Sequence, residues 1–112
     1  MRVGPSDSLC RKMRQKMRRW RMHLKPDKTL EDLSRMFNPI IRGWIQYYGR
    51  FYKSELIKVL RHLNRTLAHW VRRKFKRFAR NPRRAEYWLG RVARRQPRLF
   101  AHWMMGVLPS VG

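Results

Sequence analysis

A chain of 112 residues supports one domain with a single modest core. Its 29 Lys and Arg against 6 Asp and Glu leave a net charge of +23, while 43% apolar content argues against a disordered basic tail. Cys10 is the only cysteine, which excludes an internal disulfide, and no apolar run is long enough to span a membrane.

Self-repulsion of that size destabilises a compact chain unless a polyanion offsets it. Nucleic acid is the leading partner on these grounds, and an anionic membrane surface is second. Arginine outnumbers lysine more than twofold. A guanidinium binds phosphate in a bidentate manner and also stacks on bases, which suits RNA. The N-terminus is Arg-rich like a transit peptide, but the same basic density continues to Arg98, so no separable targeting segment is expected. The expected location is cytoplasmic, in a bacterium, or organellar.

Proline, glycine and capping residues divide the chain into helical segments. The first runs from about Ser8 to His23, with Leu9, Met13, Met17 and Trp20 at the helical period. Pro26 in "LKPDK" ends it. Thr29 followed by Asp32 is a variant capping box that opens the second segment. Leu30, Leu33, Phe37, Ile40 or Ile41, Trp44 and Tyr47 or Tyr48 keep the helical period through it. Because Pro39 interrupts this run behind a good N-cap, Asn38, the pattern predicts two helices, Thr29–Phe37 and Pro39–Tyr48, with a bend between them. Gly49 is the expected stop.

The third and longest segment extends from Ser54, as N-cap, to about Ala79. On a helical wheel Leu56, Val59, Leu60, Leu63, Leu67, Trp70, Val71 and Phe78 share one face. Lys58, Arg61, Arg65, Arg72 and Lys76 form a stripe on the other, with His62 and His69 beside it. A second Asn-Pro pair, Asn81–Pro82, opens a fourth segment to about Arg95, closed by Pro97. "RLFAHWMMGVL" adds a short final helix. The fold class expected is all-α, a small bundle of four to five helices.

Of the six acids, Asp27, Glu31, Asp32 and Glu55 sit at or near helix starts, where a carboxylate complements the helix dipole. Asp7 and Glu86 complete the set, and no two look placed to share a metal or divide acid and base roles. His62 and His69 are two helical turns apart, too far for one zinc without other ligands. No catalytic residue, metal or cofactor is therefore expected, and His102 reads as a packed or capping histidine. The basic stripe differs from a solvated face, since no acid occurs between Lys58 and Arg80 to pair with it. It points to phosphate binding without sequence readout. Phe37, Trp44 and Trp70 fall on apolar faces. Tyr47, Tyr48, Phe51 and Tyr52 are too close in sequence to share one, so some should be exposed beside Arg42 and Arg50, where a ring can stack on bases. Tyr48 and Tyr52 are the candidates.

"LSRMFNPIIRGWIQYYGRF" and "LIKVLRHLNRTLAHWVRRKFKR" together resemble the maturase-specific domain of group II intron reverse transcriptases. The signature is Asn38–Pro39, Arg42–Gly43–Trp44 and Tyr47–Tyr48–Gly49, and "RRAEYWLGRVARRQPRLFAHW", ending at His102–Trp103, looks like the family's continuation. The resemblance covers about residues 4 to 106. It implies a helical thumb that grips structured intron RNA, promotes its folding and splicing, and contacts the template–primer duplex. The organisation it implies is a basic lead-in helix and linker over residues 1–28, the maturase-type domain over 29–106 and a tail over 107–112. The sequence holds no Tyr-x-Asp-Asp motif of a polymerase palm and no zinc-bearing endonuclease segment. Polymerization is thus not expected from this polypeptide alone. The alternatives are a thumb piece of a split or truncated reverse transcriptase that needs a separate palm and, behind it, a cationic membrane-binding protein.

Overall fold

The computed structural model describes residues 5–109, with side chains from residue 9 onward. The outer ends of the expected lead-in and tail, residues 1–4 and 110–112, and the side chain of Asp7 lie outside the described residues. The described chain is all-α, without a strand. It forms α1 (Pro5–Arg19), α2 (Leu30–Tyr48), α3 (Lys53–Lys74), α4 (Pro82–Arg95) and α5 (Ala101–Met104), with 3-10 turns at Met22–Leu24 and Lys76–Phe78.

Helix α3 is the axis of the bundle. Its spacing of apolar residues puts Leu56, Val59, Leu60, Leu63, Leu67, Trp70 and Val71 on one stripe, and all seven are buried. Helices α1, α2 and α4 and both 3-10 turns pack against α3, and α5 packs on α2. Helix α1 adds Met13 and Met17 to the core. Trp20, just past its end, stacks on Phe37 and Trp44 of α2 with ring centroids 4.3 and 5.5 Å away. The "LKPDK" linker is tied to the end of α3: Trp70 Nε1 donates to the Lys25 carbonyl at 2.8 Å, and Lys74 Nζ donates to the Pro26 and Lys28 carbonyls, each at 2.8 Å.

The capping box of α2 forms in both directions. Asp32 N–H donates to Thr29 Oγ1 at 3.1 Å, and Thr29 N–H donates to Asp32 Oδ2 at 3.0 Å. These bonds, the backbone one first, hold the Asp32 carboxyl below its ordinary range. The expected break at Pro39 does not occur, and α2 runs through it as one helix. Asn38 is not a cap, because its carboxamide is engaged elsewhere: Nδ2 donates to the Leu99 carbonyl at 2.9 Å and Oδ1 accepts the Ala101 N–H at 2.9 Å. Proline forfeits one helical hydrogen bond. Burial of Leu33, Phe37, Ile41 and Trp44 on both sides of it, in one register, holds the helix together. Gly49 does end α2, but in right-handed conformation (φ −63°). The glycine is needed there because a Cβ would run into the Ile45 carbonyl oxygen.

Both ends of α3 differ from the sequence pattern. Ser54 lies inside the helix and Tyr52 takes the cap position without a side-chain bond. At the other end the chain leaves the helix at Phe75, which is extended (φ −111°, ψ 113°). That departure lets Phe75 and Phe78 both reach Trp88 of α4, at centroid distances of 5.3 and 6.1 Å. The fourth helix begins as its sequence predicts, with Asn81 Oδ1 accepting the Arg84 N–H at 3.2 Å.

The segment after α4 is held by two asparagines. Asn38 of α2 grips it on either side of buried Phe100. Asn64 of α3 donates through Nδ2 to the Val107 carbonyl at 3.2 Å, while its Oδ1 accepts Trp103 Nε1–H at 3.0 Å and lies 2.7 Å from His102 Nε2. An oxygen can only accept, so the neutral His102 ring carries its proton on Nε2. Its Nδ1 is buried without a partner. Burial lowers the His102 pKa to about 3.

Two outcomes follow for stability. Asn38→Ala leaves the Leu99 carbonyl and the buried Ala101 N–H unpaired and should cost about 2–4 kcal/mol in urea denaturation. Pro39→Ala, on the exposed side of the same helix, should be neutral or stabilising by up to about 3 kcal/mol; the reverse order would put a helix break at Pro39 after all. For His102 the folded pKa of about 3 lies below the unfolded value of 6.5. Its contribution is therefore complete above pH 6.5 and declines, by at most about 1.4 kcal/mol per pH unit, as pH falls toward the folded value. His62 and His69 shift in the same direction but are more exposed. His102→Gln should flatten the stability–pH profile between pH 6.5 and 5; an unchanged slope would refute a buried neutral ring.

Candidate nucleic-acid interface

Because Met13 and Met17 turn α1 toward the core, Arg11, Arg14 and Arg18, at i, i+3 and i+7, stay exposed. On α3 the buried stripe leaves Lys58, Arg61 and Arg65 exposed at the same spacing. The packing of α1 along α3 brings these two rows together. Arg11, Arg14, Arg18 and Lys58, with Cys10, Gln15 and Glu55, line a groove of about 700 Å³ between the helices. Half-buried His62 reports the same convergence: its pKa is lowered first by burial and then by Arg14, Arg65 and Arg18. Charges from both helices, Arg14 and Arg18 on α1 and Arg65 on α3, thus act on one imidazole. Like charges held across a partly desolvated groove favour an anion between them. Arg61 and Arg65 also border a neighbouring cavity of about 250 Å³, completed by Asn64, Glu86, Leu108 and Pro109.

The other residues singled out in sequence are dispersed. Arg72 is half-buried and closes a turn, its Nη2 and Nε donating to the Ala79 carbonyl at 2.9 and 3.3 Å. Lys76 lies past the end of α3, in the 3-10 turn, and so leaves the helical stripe. Arg42 is exposed on α2 and Arg50 just beyond it. Tyr48 is half-buried against the core, edge-on to Tyr47 at 4.9 Å. Tyr47 and Phe51 are the most open rings, each 77% exposed, whereas Tyr52 is 36% exposed. Asn38, Trp44, His102 and Trp103 are buried and belong to the scaffold. The α1 arginines were not among the residues singled out in sequence, although their spacing beside Met13 and Met17 was a readable signal.

A further exposed surface lies on α2. Met36, Ile40, Gly43 and Tyr47, at i, i+4, i+7 and i+11, fall on one face. Gly43 is interior to the helix, and a Cβ there would meet nothing within 4 Å. The fold has no need of this glycine, which costs the helix about 1 kcal/mol relative to alanine. Gly43→Ala should therefore raise stability by about 0.5–1 kcal/mol in thermal or urea unfolding; destabilisation would show that the position packs more closely than it does here.

Among the described residues, no group of three or more His, Cys, Asp or Glu is placed to hold a metal ion, and no helix is long and apolar enough to cross a membrane. The family model for the group II intron, maturase-specific domain matches residues 10–88, from the middle of α1 into α4. No curated protein and no solved structure matches the chain.

Proposed function

We propose, from the premise that this chain belongs to the group II intron maturase-specific domain family, that it grips structured group II intron RNA and so assists the intron's folding and splicing. The observation that carries this reading is the groove between α1 and α3, where Arg11, Arg14, Arg18 and Lys58 face one another. Compact RNA brings phosphates of separate strands close together. Paired rows of cations lower that repulsion without reading the bases. Arg61 and Arg65 extend the row along α3, and Arg42, Arg50 and Tyr52 would flank the RNA from the α2 side. The absent side chain at Gly43 lets a sugar–phosphate edge approach α2 closely.

The test is salt-titrated binding of the purified chain to a group II intron RNA, with an RNA duplex of equal length as competitor. Intron RNA should win by about tenfold near physiological salt, and six to ten phosphate contacts imply a loss of about 10³–10⁵ in affinity between 50 and 200 mM salt. Arg14→Gln and Arg65→Gln should each reduce the salt slope by about 1. Gly43→Ala should weaken binding and leave the slope alone. Unchanged slopes in both arginine variants would remove the groove from the interface.

A further inference from the structure

We propose that a second site, between α4 and the 3-10 turn Lys76–Phe78, takes an unpaired segment of RNA, with a base stacked on its rings and phosphates on its arginines. It rests on the reading of the chain as an RNA-binding module but uses different residues from the groove.

A cavity of about 390 Å³ is lined by Arg77, Phe78, Arg84, Tyr87, Trp88 and Arg91. Three of these six are aromatic and three are arginine, and no carboxylate is among them. Glu86, the one acid of α4, lines the other cavity with Arg61 and Arg65. The rings are held in place from beneath. Phe78 is buried, and Phe75, Phe78 and Trp88 pack on one another with centroids 5.3 to 6.2 Å apart. The Arg77 guanidinium lies 4.7 Å from the Phe78 ring centroid and 5.6 Å from that of Phe75. A planar cation in that position extends the aromatic surface outward and keeps its donor edge free.

Helix α4 supplies the opposite wall. Arg84 and Arg91 are seven residues apart, two turns or about 10.5 Å along one face, with Tyr87 and Trp88 between them. The pattern alternates cation, ring and cation along the helix. A single strand has that same alternation of phosphate and base.

The comparison with the groove decides between double-stranded and unpaired RNA. No Phe, Tyr or Trp lines the groove between α1 and α3, which suits a surface that meets phosphates. Bases inside a duplex already stack on one another, so the half-open faces of Tyr87 and Trp88 add nothing to duplex binding. Unpaired bases present a free face, and stacking on a side chain is then worth a large factor per base. An acidic peptide would satisfy the arginines but leave the rings uncovered.

The experiment uses the full chain and a fluorescein-labelled single-stranded RNA octamer, in 300 mM salt to suppress the purely ionic component, with the corresponding RNA duplex in parallel. Tyr87→Ala should weaken octamer binding by about tenfold and leave duplex binding unchanged. Exposed Arg91→Gln should also weaken it and reduce its salt slope by about 1. Arg14→Gln, in the groove, should spare the octamer while weakening intron RNA. Octamer affinity unchanged in both Tyr87→Ala and Arg91→Gln would overturn the site, as would displacement of the octamer by polyglutamate as readily as by unlabelled octamer. Failure of the groove variant to affect intron RNA, with the octamer results as expected, would instead count against the groove and leave this site standing.

Discussion

The structure depends on one helix meeting two opposite demands. The inner face of α3, from Leu56 to Val71, is the surface on which the other long helices are built. Its outer face carries Lys58, Arg61 and Arg65 into water. The hydrophobic burial on one side must hold the bundle together against the repulsion generated on the other. The chain's own acids give little relief. Glu31, Asp32 and Glu55 occupy the first turns of α2 and α3, and the sole ion pair among the described residues joins Lys28 to Asp27 at 4.0 Å. Within the described residues the basic surface is therefore almost without an acidic partner.

Polar contacts inside the bundle determine position more than cohesion. Asn38 and Asn64 lie on different helices, yet both serve the segment between Leu99 and Val107. Apolar packing of Phe100 and Trp103 would tolerate small slips of that segment. Five directional bonds do not, because each slip would leave buried donors or acceptors unpaired. This lock fixes Leu108 and Pro109 beside Arg61 and Arg65, so the scaffold also shapes one edge of the basic surface.

The basic surface is not uniform. Between α1 and α3 it is mostly cationic and lacks Phe, Tyr or Trp, beside α4 it alternates rings with arginines, and on α2 it gives way to exposed Met36, Ile40 and Tyr47 with Gly43 among them. On the proposed reading these surfaces would hold different parts of an RNA: close-packed phosphates, stacked bases and a closely approaching backbone. Net charge alone would not have separated them.

Local regularities were legible in the sequence. The apolar period of α3 marked its buried face, the Thr29–Asp32 box and the Asn81–Pro82 pair marked two helix starts, and the signature residues marked the family. These features depend on neighbours within about one or two turns, where side-chain direction follows from spacing. What the sequence could not decide was how distant elements share residues. Asn38 looked like a cap until the Leu99–Ala101 turn was seen to occupy it, and Phe75 left the helix to reach Trp88. Arg72 was drawn from the stripe to the Ala79 carbonyl, and the α1 arginines came to share a groove with Lys58 through packing against α3. Periodicity assigns a side chain to a face of its own helix. Only the tertiary structure, by setting which face meets which, decides what that side chain touches.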